Sequence, residues 1–252
     1  MYTLIDTHTH LYDKSFDSDR DEVIRRALCA GVKRIITVSE NMEDGRRNLE
    51  LADRHPELLA AAGLYPVYAD PAAAGEMIEF IRKNRDRLAA IGEVGLDYRK
   101  AEDPEERDTQ QNILKQFVAL SLELDLPLNV HSRSAGRHVV ALLLEKGAKK
   151  VQLHAFDGKA GAAFPAVEAG FFFSIPPSVV RSRQKQKLVR QLPLSSILVE
   201  TDSPVLGPDP EKRNEPANCT AALEMIASLK NIDPKQAAET IYENTLRLYG
   251  SI

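Results

Sequence analysis

Residues 89–133 read AAIGEVGLDYRKAEDPEERDTQQNILKQFVALSLELDLPLNVHSR. The stretch spells one strand–helix–strand unit. Residues 89–92 form a short apolar run. From Pro104 to Leu124, the apolar residues Ile113, Phe117, Leu120 and Leu124 recur at steps of four, three and four, which places them on one helical stripe. Pro127 drives the preceding residue away from helical angles and lets the chain re-enter an extended run at residues 128–130. Two strands joined through a helix of this length lie parallel, with the helix packed outside.

The same rhythm runs through the rest of the chain. Further short apolar runs fall at residues 3–6, 34–38, 58–64, 151–153, 171–175 and 196–199, separated by amphipathic segments, which makes about eight units in all. Helical segments near residues 216–229 and 234–248 finish the chain, the second opened by Asp233 before Pro234. Eight βα units in 252 residues predict a TIM-like (β/α)8 barrel of the metal-dependent hydrolase type, with residues 1–252 as a single domain. The Pro-rich stretch from residue 203 to 216 is of loop length and marks no boundary.

Composition narrows the function classes. A hydrophobic fraction of 43% and a charged fraction of 28% are those of a globular domain able to build its own core. No apolar run approaches the roughly 20 residues of a membrane span, and the opening residues lack the basic and apolar regions of a secretory signal. Cys29 and Cys219 stand far apart without CxxC spacing, so unpaired thiols and a cytoplasmic setting are expected, or a nuclear one in a eukaryote. With 33 Lys and Arg against 37 Asp and Glu, the net charge of −4 excludes capture of duplex DNA by bulk electrostatics. Any nucleic-acid contact is local. The oligomeric state is open, and a monomer is compatible with everything above.

Chemistry concentrates where the predicted strands end. His8 and His10 stand two apart after the first strand, so in extended backbone both side chains leave on the same side. Glu93, His131, His154 and Asp202 follow the fourth, fifth, sixth and eighth apolar runs. In a parallel barrel all these ends converge on one mouth. Six donors exceed the needs of one ion, and the set predicts a binuclear centre for two divalent ions, Mg, Mn or Zn, bridged by Glu93. His8, His10 and Asp202 would complete one ion, and His131 with His154 the other. Paired cations acidify a bound water and neutralise a phosphorane-like transition state, so phosphodiester hydrolysis suits the site. Asp202 doubles as candidate general base, with ligation alone as its simpler role.

Around these donors the sequence offers lesser candidates. Arg133 after His131, and Arg213 after Asp202, could each fork onto a substrate phosphate, although Arg213 could equally pair with Glu215. Asp6 reads as a structural hydrogen-bond partner, and His55 and His138 as surface or packing residues. Arg181, Arg183, Lys185, Lys187 and Arg190 form a basic run on a predicted helix after strand seven, where solvation competes with steering of nucleic acid.

The motifs IDTHTH, AIGEVGLDY, NVHSRSAG, LHAFDG, VETDSP and RNEP together resemble the TatD family of metal-dependent deoxyribonucleases, over almost the whole chain. The stretches FFFSIPPS and KQKLVRQLP are similar to one subgroup of that family. The resemblance implies a divalent-metal exonuclease on single-stranded DNA, or on another phosphodiester, with ligands at His8, His10, Glu93, His131, His154 and Asp202. Two positions depart from the family pattern. Tyr65 in GLYP stands where the family shows a substrate-contacting histidine, and Ala155 where a cysteine often follows the ligand histidine. A tyrosine can still donate a hydrogen bond to phosphate. An amidohydrolase-type enzyme and a metal-binding barrel without turnover are the rival readings. The first commonly bridges its ions with a carboxylated lysine, a place that Glu93 takes here, and the complete ligand set argues against the second.

Overall fold

The computed structural model describes residues 2–252. Eight strands, β1 (Leu4–Thr9), β2 (Val32–Thr37), β3 (Leu58–Ala62), β4 (Leu88–Gly95), β5 (Leu128–His131), β6 (Val151–His154), β7 (Phe172–Ile175) and β8 (Ile197–Val199), form one sheet in sequence order. Every neighbouring pair is parallel. The ring closes between β8 and β1 through the Thr7 hydroxyl, which donates to the Val199 carbonyl at 2.8 Å, and the Asp202 amide, which donates to the His8 carbonyl at 2.8 Å. The expected (β/α)8 barrel is the fold.

Among the described residues nine α-helices surround it: α1 (Arg20–Cys29), α2 (Met42–Arg54), α3 (Pro71–Lys83), α4 (Pro104–Leu124), α5 (Gly136–Glu145), α6 (Ala160–Glu168), α7 (Arg183–Gln191), α8 (Cys219–Lys230) and α9 (Pro234–Tyr249). Local chemistry sets their starts. Asp103 caps α4 by accepting from the Glu106 amide at 2.8 Å, with Pro104 at the first helical position and Glu105 and Glu106 in the first turn. Asp233 caps α9 in the same way. The end of α4 is set by Asp125, which adopts a left-handed φ of 54°. No helix among the described residues is long and apolar enough to cross a membrane.

Two apolar layers result. The larger lies between strands and helices, where Ile35, Ile91, Val130, Leu153 and Phe173 meet side chains such as Phe117 and Leu143. The smaller fills the barrel floor, where Ile36, Ala61, Ala90, Phe172 and Leu198 meet Leu248 and Tyr249 from the end of α9. The last turn of the chain therefore plugs the bottom of the barrel, and the opposite rim is left for the site.

The structure corrects four boundaries at the site. β1 and β4 run past their apolar stretches, so His8 lies inside β1 and Glu93 inside β4, and His131 and His154 are the last residues of β5 and β6, rather than following their ends. Polar residues continue these ladders because other elements satisfy them: Thr201 donates to Asp6, and the Glu93 amide donates to the Ser39 carbonyl at 2.9 Å.

Phe117 is fully buried in the outer layer, on the stripe that docks α4. Phe117→Ala should cost about 3–5 kcal/mol, and thermal denaturation should show a Tm lower by roughly 10 °C. Bound-metal content should not change, and a mutant melting with wild type would refute this docking.

Candidate metal centre

All six predicted donors meet at the C-terminal rim of the barrel. They fall into three overlapping groups whose ligand atoms lie within 4.8 Å of one another: His8, His10 and Glu93; Glu93, His131 and His154; and His8, His154 and Asp202. Glu93 stands between two histidine pairs. Its Oε1 is 2.6 Å from His131 Nδ1 and 2.8 Å from His154 Nε2, while its Oε2 is 3.6 Å from His10 Nε2 and 3.7 Å from His8 Nε2. Asp202 Oδ1 approaches His10 Nε2 at 3.3 Å and His8 Nε2 at 3.6 Å. His8 and His154 stack face to face with centroids 3.8 Å apart.

Burial and charge decide the protonation states. Burial pushes the Glu93 carboxyl up, but the imidazoles of His154 and His131 more than offset it and hold it well below the usual carboxylate range. Asp202 is likewise lowered, since its hydrogen bond to His10 and the nearby imidazoles outweigh burial. His8, fully buried and beside His154, falls to about 3 and is neutral. For His10 and His131, burial is overcome by the facing carboxylates, which hold both at about 9. Four imidazoles and two carboxylates, nearly dry and converging, form a donor set suited to divalent cations.

The far nitrogen of each histidine faces an oxygen; for His8 and His10 this is a hydrogen bond, the arrangement that orients metal-binding imidazoles, while those of His131 and His154 have no hydrogen-bond partner among the described residues. His8 Nδ1 meets Asn129 Oδ1 at 2.8 Å, and the Asn129 amide group donates to the Thr7 carbonyl at 2.9 Å, which fixes its orientation. His10 Nδ1 lies 3.2 Å from the Tyr12 hydroxyl. His131 Nε2 lies 3.4 Å from Asp97 Oδ2, and His154 Nδ1 lies 3.9 Å from Glu200 Oε2. Asp6 holds the strand beneath, accepting from the His8 amide, the Thr201 amide and the Thr201 hydroxyl. Burial raises its carboxyl to about 7.

The lesser candidates separate. Arg133 lines the cavity above the donors and is exposed, and its guanidinium makes no hydrogen bond or ion pair with the described residues. Tyr65 also lines the cavity, but its hydroxyl donates to Asp97 Oδ2 at 3.1 Å while its ring sits 4.9 Å from that of His131. Its one hydroxyl proton is engaged by Asp97 in this arrangement. Arg213 does not line the cavity. It forks onto Asp19 at 2.8 and 2.7 Å and lies over the Phe16 ring at 4.5 Å. The expected Arg213–Glu215 pair does not form either, since Glu215 is held by Arg26 at 2.6 Å. His55 and His138 stand outside the cluster, beside Asp21 and Tyr98.

Sequence reasoning missed Asn129, Asp97, Glu200, Tyr12 and Lys185. One of the five positions carried a usable signal: strand alternation in LNVH places Asn129 with His131 on the inward face, as alternation in VQLH places Gln152 with His154. Ser134, Ala155, Asp202 and Leu206 all take left-handed φ values of 40–56° at the rim, where non-glycine residues rarely do so. No residue type announced that.

A parallel eight-stranded barrel with buried His, Glu and Asp donors at its C-terminal mouth is the architecture of a metal-dependent hydrolase. The family model described as TatD related DNase matches residues 5–250, and the chain belongs to that family. It is 45% identical to "Putative deoxyribonuclease TATDN3" of Mus musculus, across 99% of this chain and 89% of that protein. It is 43% identical to "Deoxyribonuclease TATDN3" of Homo sapiens, across 99% and 95%. The solved structure of YJJV, a TatD homologue from Escherichia coli, superposes with a TM-score of 0.90 at 26% identity, covering 99% of this chain and 98% of that one.

Two substitutions probe the geometry. Asn129→Ala should weaken divalent-metal affinity by about 10- to 100-fold, measured by calorimetric titration of metal-free protein, and unchanged affinity would remove Asn129 from the orienting role. Arg213→Ala should lower thermal stability while leaving KM within about twofold. A large KM increase would return Arg213 to the substrate.

Proposed function

We propose that this chain is a deoxyribonuclease that releases nucleotides from single-stranded DNA, using two divalent ions bridged by Glu93. The observation that carries the reading is the position of Glu93, with one oxygen toward His131 and His154 and the other toward His8 and His10. One carboxylate serving two histidine pairs favours two ions over one. The ions, when bound, lower the pKa of water and stabilise charge on the phosphoryl oxygens.

The residues have distinct tasks in this reading. His8, His10, His131 and His154 would hold the ions through their ring nitrogens, with Asn129 and Tyr12 hydrogen-bonded to His8 and His10, and Asp97 and Glu200 facing His131 and His154. Asp202 meets the histidines through Oδ1 and lines the cavity, where a carboxylate can take the proton of an attacking water. Arg133 supplies an unpaired guanidinium to a phosphate of the strand. The donors lie at the bottom of a cavity of about 560 Å³, lined also by Tyr12, Glu40 and Val205, which suits one strand end better than a paired helix. The net charge of −4 agrees with local rather than bulk recognition. Histidine-rich donors lean toward zinc or manganese over magnesium. Two free thiols, exposed Cys29 and buried Cys219, suit a reducing compartment.

Metal-loaded protein should release mononucleotides from single-stranded DNA, and chelation should stop the release until Mn, Zn or Mg is returned. Glu93→Ala and His131→Ala should each lower kcat/KM by at least about a thousandfold. Undiminished activity in either variant, or turnover of a cyclic amide with none of a phosphodiester, would overturn the reading.

A further inference from the structure

The basic run after β7 has one member that behaves unlike the rest. Arg183, Lys187 and Arg190 are exposed on α7, as a solvated helix face requires. Lys185 turns inward instead and lines the same cavity as the metal donors. Its Nζ donates to the Ala155 carbonyl at 3.2 Å, and no other hydrogen bond or ion pair to the described residues meets it. An ammonium carries three N–H donors, so two remain for something in the cavity. Arg133 lines the cavity as well and has all of its donors unengaged.

Position in the barrel adds direction. Arg133 follows β5 and Lys185 belongs to the connection after β7, whereas the other acidic lining residues Asp13 and Glu40 follow β1 and β2. In an eight-stranded ring β1 and β2 lie across from β5 and β6. The rim over β5 to β7 therefore carries the cations and the rim over β1 and β2 the acids, with Arg133 across from Asp13, apart from Asp157, whose carboxylate is taken by the Ser134 amide at 2.8 Å and the Gln184 side chain at 3.1 Å. The scissile phosphate belongs to the metal donors. A second phosphate of the same strand is attracted to the first rim and repelled by the second.

Resting on the phosphodiesterase reading, we propose that Lys185 and Arg133 form a second anion site, which holds the backbone phosphate adjacent to the one being hydrolysed. The site makes the enzyme prefer polyphosphodiester strands over isolated diesters. Lys185 binds substrate here and takes no part in bond breaking. The opposing account makes Lys185 a counter-ion to the carboxylates beneath it, Glu200 and Asp202, which would affect every substrate alike.

Steady-state kinetics on two probes separates these accounts: single-stranded oligothymidylate, and bis(4-nitrophenyl) phosphate, which has a single phosphate. Lys185→Met should lower kcat/KM for the oligonucleotide about tenfold more than for the chromogenic diester, chiefly through KM. The slope of log kcat/KM for the oligonucleotide against log salt should shrink by about 0.7, the loss of one phosphate contact on a single strand. Lys185→Arg should restore most of the preference. Arg133→Ala, on the exposed lip, gives the same comparison if Met at position 185 impairs folding. Equal losses on both probes, or an unmoved ratio in both variants, overturn the second site while leaving the phosphodiesterase reading intact. Wild-type protein that cleaves neither probe overturns both.

Discussion

A single buried carboxylate organises this molecule. Glu93 is 2% exposed, and a carboxylate so placed is tolerated only where charge or hydrogen-bond donors surround it. The histidines supply that compensation from β1, β5 and β6, with Asp202 arriving after β8. The closed parallel barrel brings these elements, distant in sequence, to one rim. The rest of the fold can be understood as what holds these strands in place. Apolar helices grip the barrel from outside, and the end of α9 seals it below.

Fold and site are joined by a column of polar side chains inside the barrel. The Tyr249 hydroxyl donates to Gln152 Oε1 at 2.5 Å, the Gln152 amide donates to Ser174 Oγ at 2.8 Å, and Ser174 donates to Glu200 Oε2 at 2.5 Å. Glu200 Oε1 accepts from the Ala155 amide at 2.8 Å, next to His154. A second branch runs through Asn129 to His8. Buried polar groups are stabilising when every member is satisfied, and such chains specify one arrangement of the core. The floor plug thereby helps to fix histidine orientation near the opposite rim.

Much of this was legible in the chain itself. Helix α4 matched its reading from Pro104 to Leu124, because proline, capping aspartate and apolar period all agreed. The convergence of the six donors was legible because histidine and carboxylate after short apolar runs are unusual, and barrel topology says where such residues meet. The orienting residues were harder to see. Asn129 and Gln152 look like ordinary polar strand positions until alternation is followed inward, and Glu200 owes its contact with His154 to pairing of β6, β7 and β8. Arg213 was misjudged because chain proximity to Asp202 says nothing about Asp19, which lies nearly two hundred positions away. The basic run after β7 could not reveal which of its members faces inward, since that depends on the docking of α7. Tyr65 was expected to meet substrate, and only the structure reveals the carboxylate that engages its hydroxyl.

The central claim is that Glu93 bridges two cations. Anomalous X-ray diffraction from crystals grown with manganese or zinc tests it directly. The account predicts two anomalous peaks about 4 Å apart, one beside each Glu93 oxygen, with His8 and His10 on the first and His131 and His154 on the second. A lone peak, or peaks that leave Glu93 uncoordinated, would contradict it.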